Sequence, residues 1–131
     1  MQVMKAIENR QDVNHLVSSF YAKIRRDDLL GPIFNKHIAE EEWPAHIEKL
    51  TDFWVGNLFG MRIFKGNPAL KHVMVDQGQN QQIAQYHFDR WLGLWYETLD
   101  IHFTGELAER AKVIATRIGA AQLRIMQSSR R

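Results

Sequence analysis

The 131-residue chain contains no cysteine. That absence excludes a disulfide framework, thiolate metal sites, a nucleophilic thiol and thioether attachment of any cofactor. Long apolar runs are missing as well, since none approaches the roughly 20 residues a helix needs to cross a bilayer. Residues 1–10 mix charged and apolar side chains with no apolar stretch followed by small residues, so no secretory signal is predicted and the expected location is the cytoplasm. Charge of one sign is scarce as an excess: 17 Lys and Arg stand against 15 Asp and Glu, a net of +2, and the basic residues are scattered apart from Arg130 and Arg131. No nucleic-acid surface follows from that distribution. Three prolines and eight glycines occur singly, never as a linker, and no repeat is visible. One domain spanning residues 1–131 is the expectation. H-E-x-x-H pairs, Walker loops, G-x-G-x-x-G turns, G-x-S-x-G elbows and calcium loops are all absent, which removes most enzyme classes recognisable by local motif.

What is present is helical periodicity. Val13, Leu16, Val17, Phe20 and Ile24 recur at three and four residues after Asp12, which suits a cap, and Tyr21 flanks their stripe. This predicts a first helix ending near Arg26. Gly31 and Pro32 break the pattern and open a short helical turn carrying Ile33 and Phe34. A second long helix is predicted from about Glu40, where three glutamates favour the positive end of a helix dipole, through Trp43, Ile47, Leu50, Trp54 and Leu58 to Gly60. His46, Leu50 and Phe53 lie on a neighbouring line. Asn67 and Pro68 read as the cap and first position of a brief helix reaching Val73, followed by a polar loop over residues 77–82. Ala84, Phe88, Trp91, Leu92, Trp95 and Leu99 place a third long helix over about residues 82–101, with Asp89, Arg90 and Glu97 outside its apolar face. Thr104 suits the cap of a fourth, through Leu107, Ala111, Ile114, Ala115, Ile118, Ala121 and Ile125, with a frayed tail after it. No segment reads as a strand, so the fold class is all-α.

Six histidines carry the possible metal chemistry. In a small helical protein most histidines are surface or hydrogen-bonded core residues, and His15, His37 and His102 are read as structural. His46 precedes Leu50 by one helical turn, one line from Trp43 and Trp54, so its ring is placed to face an apolar cavity. His72 follows a capped, semi-rigid turn, which suits presenting one imidazole nitrogen while an acceptor holds the other N–H. By residue type alone this pair does not distinguish haem from zinc. The four tryptophans and seven phenylalanines are first of all a bulky core. Trp91 and Tyr21 differ from the phenylalanines in carrying a polar hydrogen that seeks a partner when buried.

The stretch F-Y-A-K-I-R-R-D-D-L-L-G-P-I-F from Phe20 to Phe34 resembles the start of the group III truncated haemoglobins. E-W-P-A-H-I-E-K-L-T-D-F-W, residues 42–54, is similar to their distal helix, and K-G-N-P-A-L-K-H, residues 65–72, to the approach to their proximal histidine. H-F-D-R-W-L-G-L-W, residues 87–95, resembles the helix that follows. The segments stand in the family's order from about Asp12 to Leu99, and the last helix matches in pattern only. Phe64 stands where a tyrosine is common, and the loop over residues 75–82 is longer and more polar than the family's.

The resemblance implies a two-over-two helical sandwich with short early and proximal helical turns. It also implies a non-covalent haem b, with His72 as the iron ligand. Phe34 is then the aromatic wedged against the haem, and Tyr21, His46, Leu50 and Trp91 form the distal side. Phe53 and Phe88 are further haem contacts. Dioxygen, nitric oxide, carbon monoxide or peroxide are the implied ligands, with an unidentified reductase as electron donor. A hydroxyl from Tyr21 or an indole N–H from Trp91 would hold a ligand that gains negative charge. Slow release follows, suited to nitric oxide or peroxide handling more than to oxygen delivery. A peroxidase-type haem enzyme and a cofactor-free helical interaction domain remain the alternatives.

Overall fold

In a computed structural model of the protein, residues 4–60 and 84–128 are described, with side chains to residue 124. The predicted helix at Asn67 and Pro68, His72, Phe64, the loop to residue 82 and the last three residues lie outside the described residues. Helix α1 spans Arg10–Arg26, the short α2 Gly31–His37, a 3-10 turn Glu40–Glu42, α3 Trp43–Phe59, α4 Gln85–His102 and α5 Glu106–Ser128. Among the described residues there is no strand, only an isolated bridge between Lys5 and Phe103. Helix α1 packs on α3 and α4, α4 packs on α5, and α3 reaches α5. These four long helices form the two-over-two sandwich.

The predicted caps are corrected at two helix starts. Asn9, not Asp12, caps α1, its side chain accepting the Asp12 N–H at 2.9 Å. Asp12 turns its carboxylate back to the Glu8 N–H at 2.9 Å and to Lys5 at 3.0 Å, a reciprocal arrangement of the capping-box kind. At the other site Gly105, not Thr104, precedes α5, and its carbonyl accepts the Glu109 N–H at 3.1 Å. The Thr104 N–H instead ties down Lys5 at 2.9 Å. Helix α3 starts at Trp43, after the 3-10 turn of the three glutamates, and Gly60 ends it in the left-handed region at φ 74. Helix α4 starts at Gln85 and runs to His102, within three residues of the expectation at each end.

Trp95 is the centre of the core, with 0% exposure. Its indole stacks on Trp54 of α3 at 4.6 Å, meets Phe20 of α1 edge-on at 4.9 Å and donates its N–H to the Ala111 carbonyl of α5 at 3.2 Å. One side chain on α4 therefore engages the other three long helices. Ala111 and Ala115, both fully buried, keep the facing surface of α5 low enough for that approach. Thr51 and Thr98 are also fully buried and satisfy their hydroxyls on the carbonyls of Ile47 and Leu94, one turn back.

The α1–α2 corner sets where Phe34 lies. A Cβ on Gly31 would stand 2.7 Å from the Arg25 carbonyl oxygen and 3.3 Å from that of Ile24. Both neighbours are backbone and have no room to yield. Gly31→Ala is expected to destabilise the protein by about 1–3 kcal/mol through this overlap. Urea unfolding checks it: the midpoint falls with the slope unchanged, and an unchanged midpoint would contradict the close approach.

Candidate functional site

Tyr21 stands at the meeting point of α1, α2, α3 and α4. It is buried, and the rings of Phe34 and His46 lie 6.0 Å away, each edge-on. Trp91 of α4 stands near enough to the Tyr21 hydroxyl for its indole, which has only a donor, to act on the phenol. Burial pushes the Tyr21 phenol up to about 12, with the Trp91 hydrogen bond opposing the rise. Tyr21 consequently keeps its proton across the physiological range, and that proton remains available for donation elsewhere.

Phe34, His46 and Trp91 come from three elements and stand around Tyr21. Leu50 follows His46 by one turn of α3 and is half-buried. Phe53, also half-buried, lies further along α3 with its ring 5.5 Å from Trp54. Phe88 is buried in a second cluster with Leu123, against Ile33 of α2. The Gly119 position of α5 links that cluster to the site: a Cβ there would stand 3.7 Å from Phe88, 3.9 Å from Leu92 and 3.9 Å from Trp91. These three side chains of α4 thus share one surface facing α5. His72 lies outside the described residues.

Trp43 was read from the sequence only as part of the α3 stripe, yet it belongs to this cluster. Its ring is 5.8 Å from Tyr21 and 5.3 Å from His46, with the Arg25 guanidinium 4.8 Å from the ring centroid on one face. Its indole nitrogen is buried and has no hydrogen-bond partner among the described residues. The signal in the sequence was its spacing, since Trp43 and His46 are three apart and share a helix face.

The donor set fits a flat apolar cofactor that carries a small polar ligand. Leu50, Phe53, Trp91, Leu92, Ile114 and Ile118 are large apolar side chains packed against the core yet only partly buried, which suits contact with a macrocycle. Beside them stand a protonated phenol, an imidazole and a buried indole N–H without a partner among the described residues, as a ligand that accepts hydrogen bonds requires. Among the described residues no group of three metal-ligating side chains occurs, so they hold no zinc-type cage.

The fold and the site together define a globin of the shortened kind, and the chain belongs to the bacterial-like globin family, whose family model matches residues 2–122. It is similar to the group 3 truncated haemoglobin of Campylobacter jejuni, with 36% identity over 114 residues, 82% of this chain and 86% of that one. It also resembles the crystal structure of the group III truncated haemoglobin from Campylobacter jejuni at a TM-score of 0.83 and 31% identity, with 95% of each chain covered. The truncated globin fold is therefore established, and family membership implies a haem cofactor and small gaseous ligands. No helix among the described residues is long and apolar enough to cross a membrane.

Proposed function

We propose that this chain is a single-domain, cytoplasmic truncated haemoglobin that binds haem b non-covalently through His72 and retains small ligands for redox chemistry. Its substrates on this reading are dioxygen with nitric oxide, or peroxide, and a reductase returns the iron to the ferrous state. The observation that carries the reading is the cluster around the buried Tyr21 phenol, with the Phe34 and His46 rings each 6.0 Å away and the buried Trp43 indole N–H without a partner among the described residues.

A haem held by His72 would supply a coordination position for a small ligand. Tyr21, buried and protonated, is the group that would donate its O–H to the ligand. Phe34 and Leu50 wall the space and exclude water, which strengthens each hydrogen bond made inside it. His46, half-buried at the margin, acts as a gate. Phe53 and Phe88 complete the apolar contact with the cofactor. A hydrogen bond to a charged acceptor is worth about 1.5–3 kcal/mol and each 1.4 kcal/mol is about tenfold in equilibrium, so such a pocket releases its ligand slowly. Slow release suits reaction in place better than delivery.

Protein purified after expression with haem supplied is expected to show an intense Soret band that shifts when the ferrous form meets carbon monoxide. In His72→Ala the band should be lost or severely altered. Absence of stoichiometric haem in the wild type would overturn the reading and favour a cofactor-free helical domain. On mixing with nitric oxide, the oxygenated protein should consume it and yield the ferric form.

A further inference from the structure

A row of three indoles runs from the site into the core. Trp91, beside Tyr21, lies parallel to Trp95 one turn further along α4, with the ring planes 3° apart and the centroids at 6.5 Å. Trp95 in turn stacks on Trp54 of α3 at 4.6 Å and 25°. Both separations are those of interacting aromatic pairs. Phe20 stands edge-on to Tyr21, Trp91 and Trp95 at 4.7, 5.8 and 4.9 Å and closes the row to water. Tyr96 follows Trp95 in the chain and is exposed. The two side chains reach the same turn of α5: the Trp95 N–H donates to the Ala111 carbonyl at 3.2 Å, and the Tyr96 hydroxyl lies against the Lys112 carbonyl and Thr116 Oγ1. Aliphatic side chains would fill this space as well. In a chain without cysteine, however, indole and phenol are the side chains that give up an electron most readily.

We propose that Trp91, Trp95 and Tyr96 form a relay that passes one-electron oxidising equivalents from the pocket to the surface, where a small hydrogen-atom donor of the enediol or phenol class quenches them. The relay rests on the haem reading above and gives its peroxide branch a second, superficial substrate site at Tyr96. A hydroperoxide takes two electrons at the haem, and its O–O bond breaks to leave an alcohol and water. Trp91 returns one of those electrons and becomes an indole radical cation, Trp95 reduces Trp91, and Tyr96 reduces Trp95. Tyr96 loses its phenolic proton to solvent as its electron leaves, and the donor restores it with one hydrogen atom. Two passages return both electrons, and the two protons released at Tyr96 match the two consumed in forming the alcohol and water. The direction follows from burial. Positive charge in a dry core is costly, so the hole does not rest on Trp95, which shares it with Trp54. The Ala111 carbonyl accepts the Trp95 N–H without removing its proton, and Trp95 therefore passes the hole on as an electron alone. At Tyr96 water takes the proton and no charge remains. Thr116 gives its own hydrogen to the Lys112 carbonyl at 2.9 Å, which leaves its oxygen to accept from Tyr96. The Lys112 ammonium, 5.7 Å from the Tyr96 ring centroid, disfavours a charged ring and so favours the neutral radical. Tyr21 competes poorly, because burial opposes the loss of its proton.

The test mixes the ferric, haem-loaded protein with hydrogen peroxide, freezes it rapidly and reads electron paramagnetic resonance, with ring-deuterated tyrosine or tryptophan to assign the radical. Wild type is expected to show a phenoxyl signal that narrows on tyrosine deuteration. In Tyr96→Phe that signal should give way to an indole radical, and peroxide-driven oxidation of ascorbate should fall by about tenfold, while the Soret response to peroxide keeps its rate. Trp95→Phe, which retains a ring in the core, should lower the phenoxyl yield at the same Soret rate, and its Soret band reports that it still folds. A phenoxyl signal and ascorbate rate undiminished in Tyr96→Phe, or a phenoxyl yield undiminished in folded Trp95→Phe, would overturn the relay and leave the haem reading standing. A wild type without haem, or whose Soret band ignores peroxide, would overturn the peroxide reading and the relay with it.

Discussion

Replacing Tyr21 by phenylalanine is expected to raise the oxygen dissociation rate by roughly 10- to 150-fold, the range that corresponds to losing one hydrogen bond of about 1.5–3 kcal/mol to a charged acceptor. The effect follows from the phenol proton that Tyr21 holds. Tyr21 is 7% exposed, and its burial holds the phenol protonated, with Trp91 opposing the rise. On the proposed reading a bound ligand receives its hydrogen bond from Tyr21. Phenylalanine keeps the ring contacts with Phe34, His46 and Trp43 and removes only the hydroxyl. Stopped-flow displacement of oxygen by carbon monoxide measures the effect directly. An unchanged rate would remove Tyr21 from the ligand pocket.

The same geometry makes the Tyr21 and Trp91 effects non-additive. Tyr21→Phe leaves the neighbouring Trp91 N–H as a second donor able to turn to the ligand, which pulls the observed change toward the lower end of the range. Trp91→Phe leaves the Tyr21 O–H in place but unrestrained, and lowers retention less. The double variant should release oxygen faster than the product of the single effects predicts, because each single variant is partly compensated by the surviving donor.

Periodicity made the four long helices legible, since Gly60, Pro32 and Pro44 fall where elements begin or end. The caps were harder: Asn9 and Asp12 are equally good capping types three residues apart, and only the backbone path of residues 4–8 decides between them. Convergence of Tyr21, Phe34, His46 and Trp91 was not legible from spacing, which places each on a face but says nothing about which faces meet. Family resemblance supplied that expectation through the order of four segments. Trp43 escaped because its apolar-stripe reading was correct as well. Long-range polar pairs escaped for a different reason. Arg90 looked like a solvated residue on the polar side of α4, and nothing near Asp27 in the chain marks it as buried. Their 63-residue separation hides the pair, just as the 87 residues between His15 and His102 hide the contact of those two rings.

Asp27→Ala is expected to destabilise the protein by about 3 kcal/mol, which lowers the melting temperature by roughly 10 °C for a chain of this size. Asp27 follows the last residue of α1, and its carboxylate side chain is only 2% exposed. One oxygen accepts the backbone N–H groups of Leu29 and Leu30 at 3.1 and 3.0 Å, and the other is held by Arg90 at 2.7 and 2.5 Å. Alanine strands two amides at the corner that leads into α2. Because α2 carries Phe34 to Tyr21, the damage should reach the pocket, and carbon monoxide association should change along with stability. The pH dependence isolates the charge. Arg90 foremost, with the Leu30 and Leu29 amides and against the opposing effect of burial, holds the Asp27 carboxyl below its ordinary value. A carboxylate depressed on folding contributes fully above its unfolded pKa of about 3.9, and that contribution is lost as pH falls through the folded value. Asp27→Asn, which removes the charge but not the shape, should therefore be less stable than wild type at pH 7 and approach it below about pH 4. A gap of constant size across that range would mean that Asp27 acts only as a corner cap, and that its pairing with the largely exposed Arg90 contributes nothing to the fold.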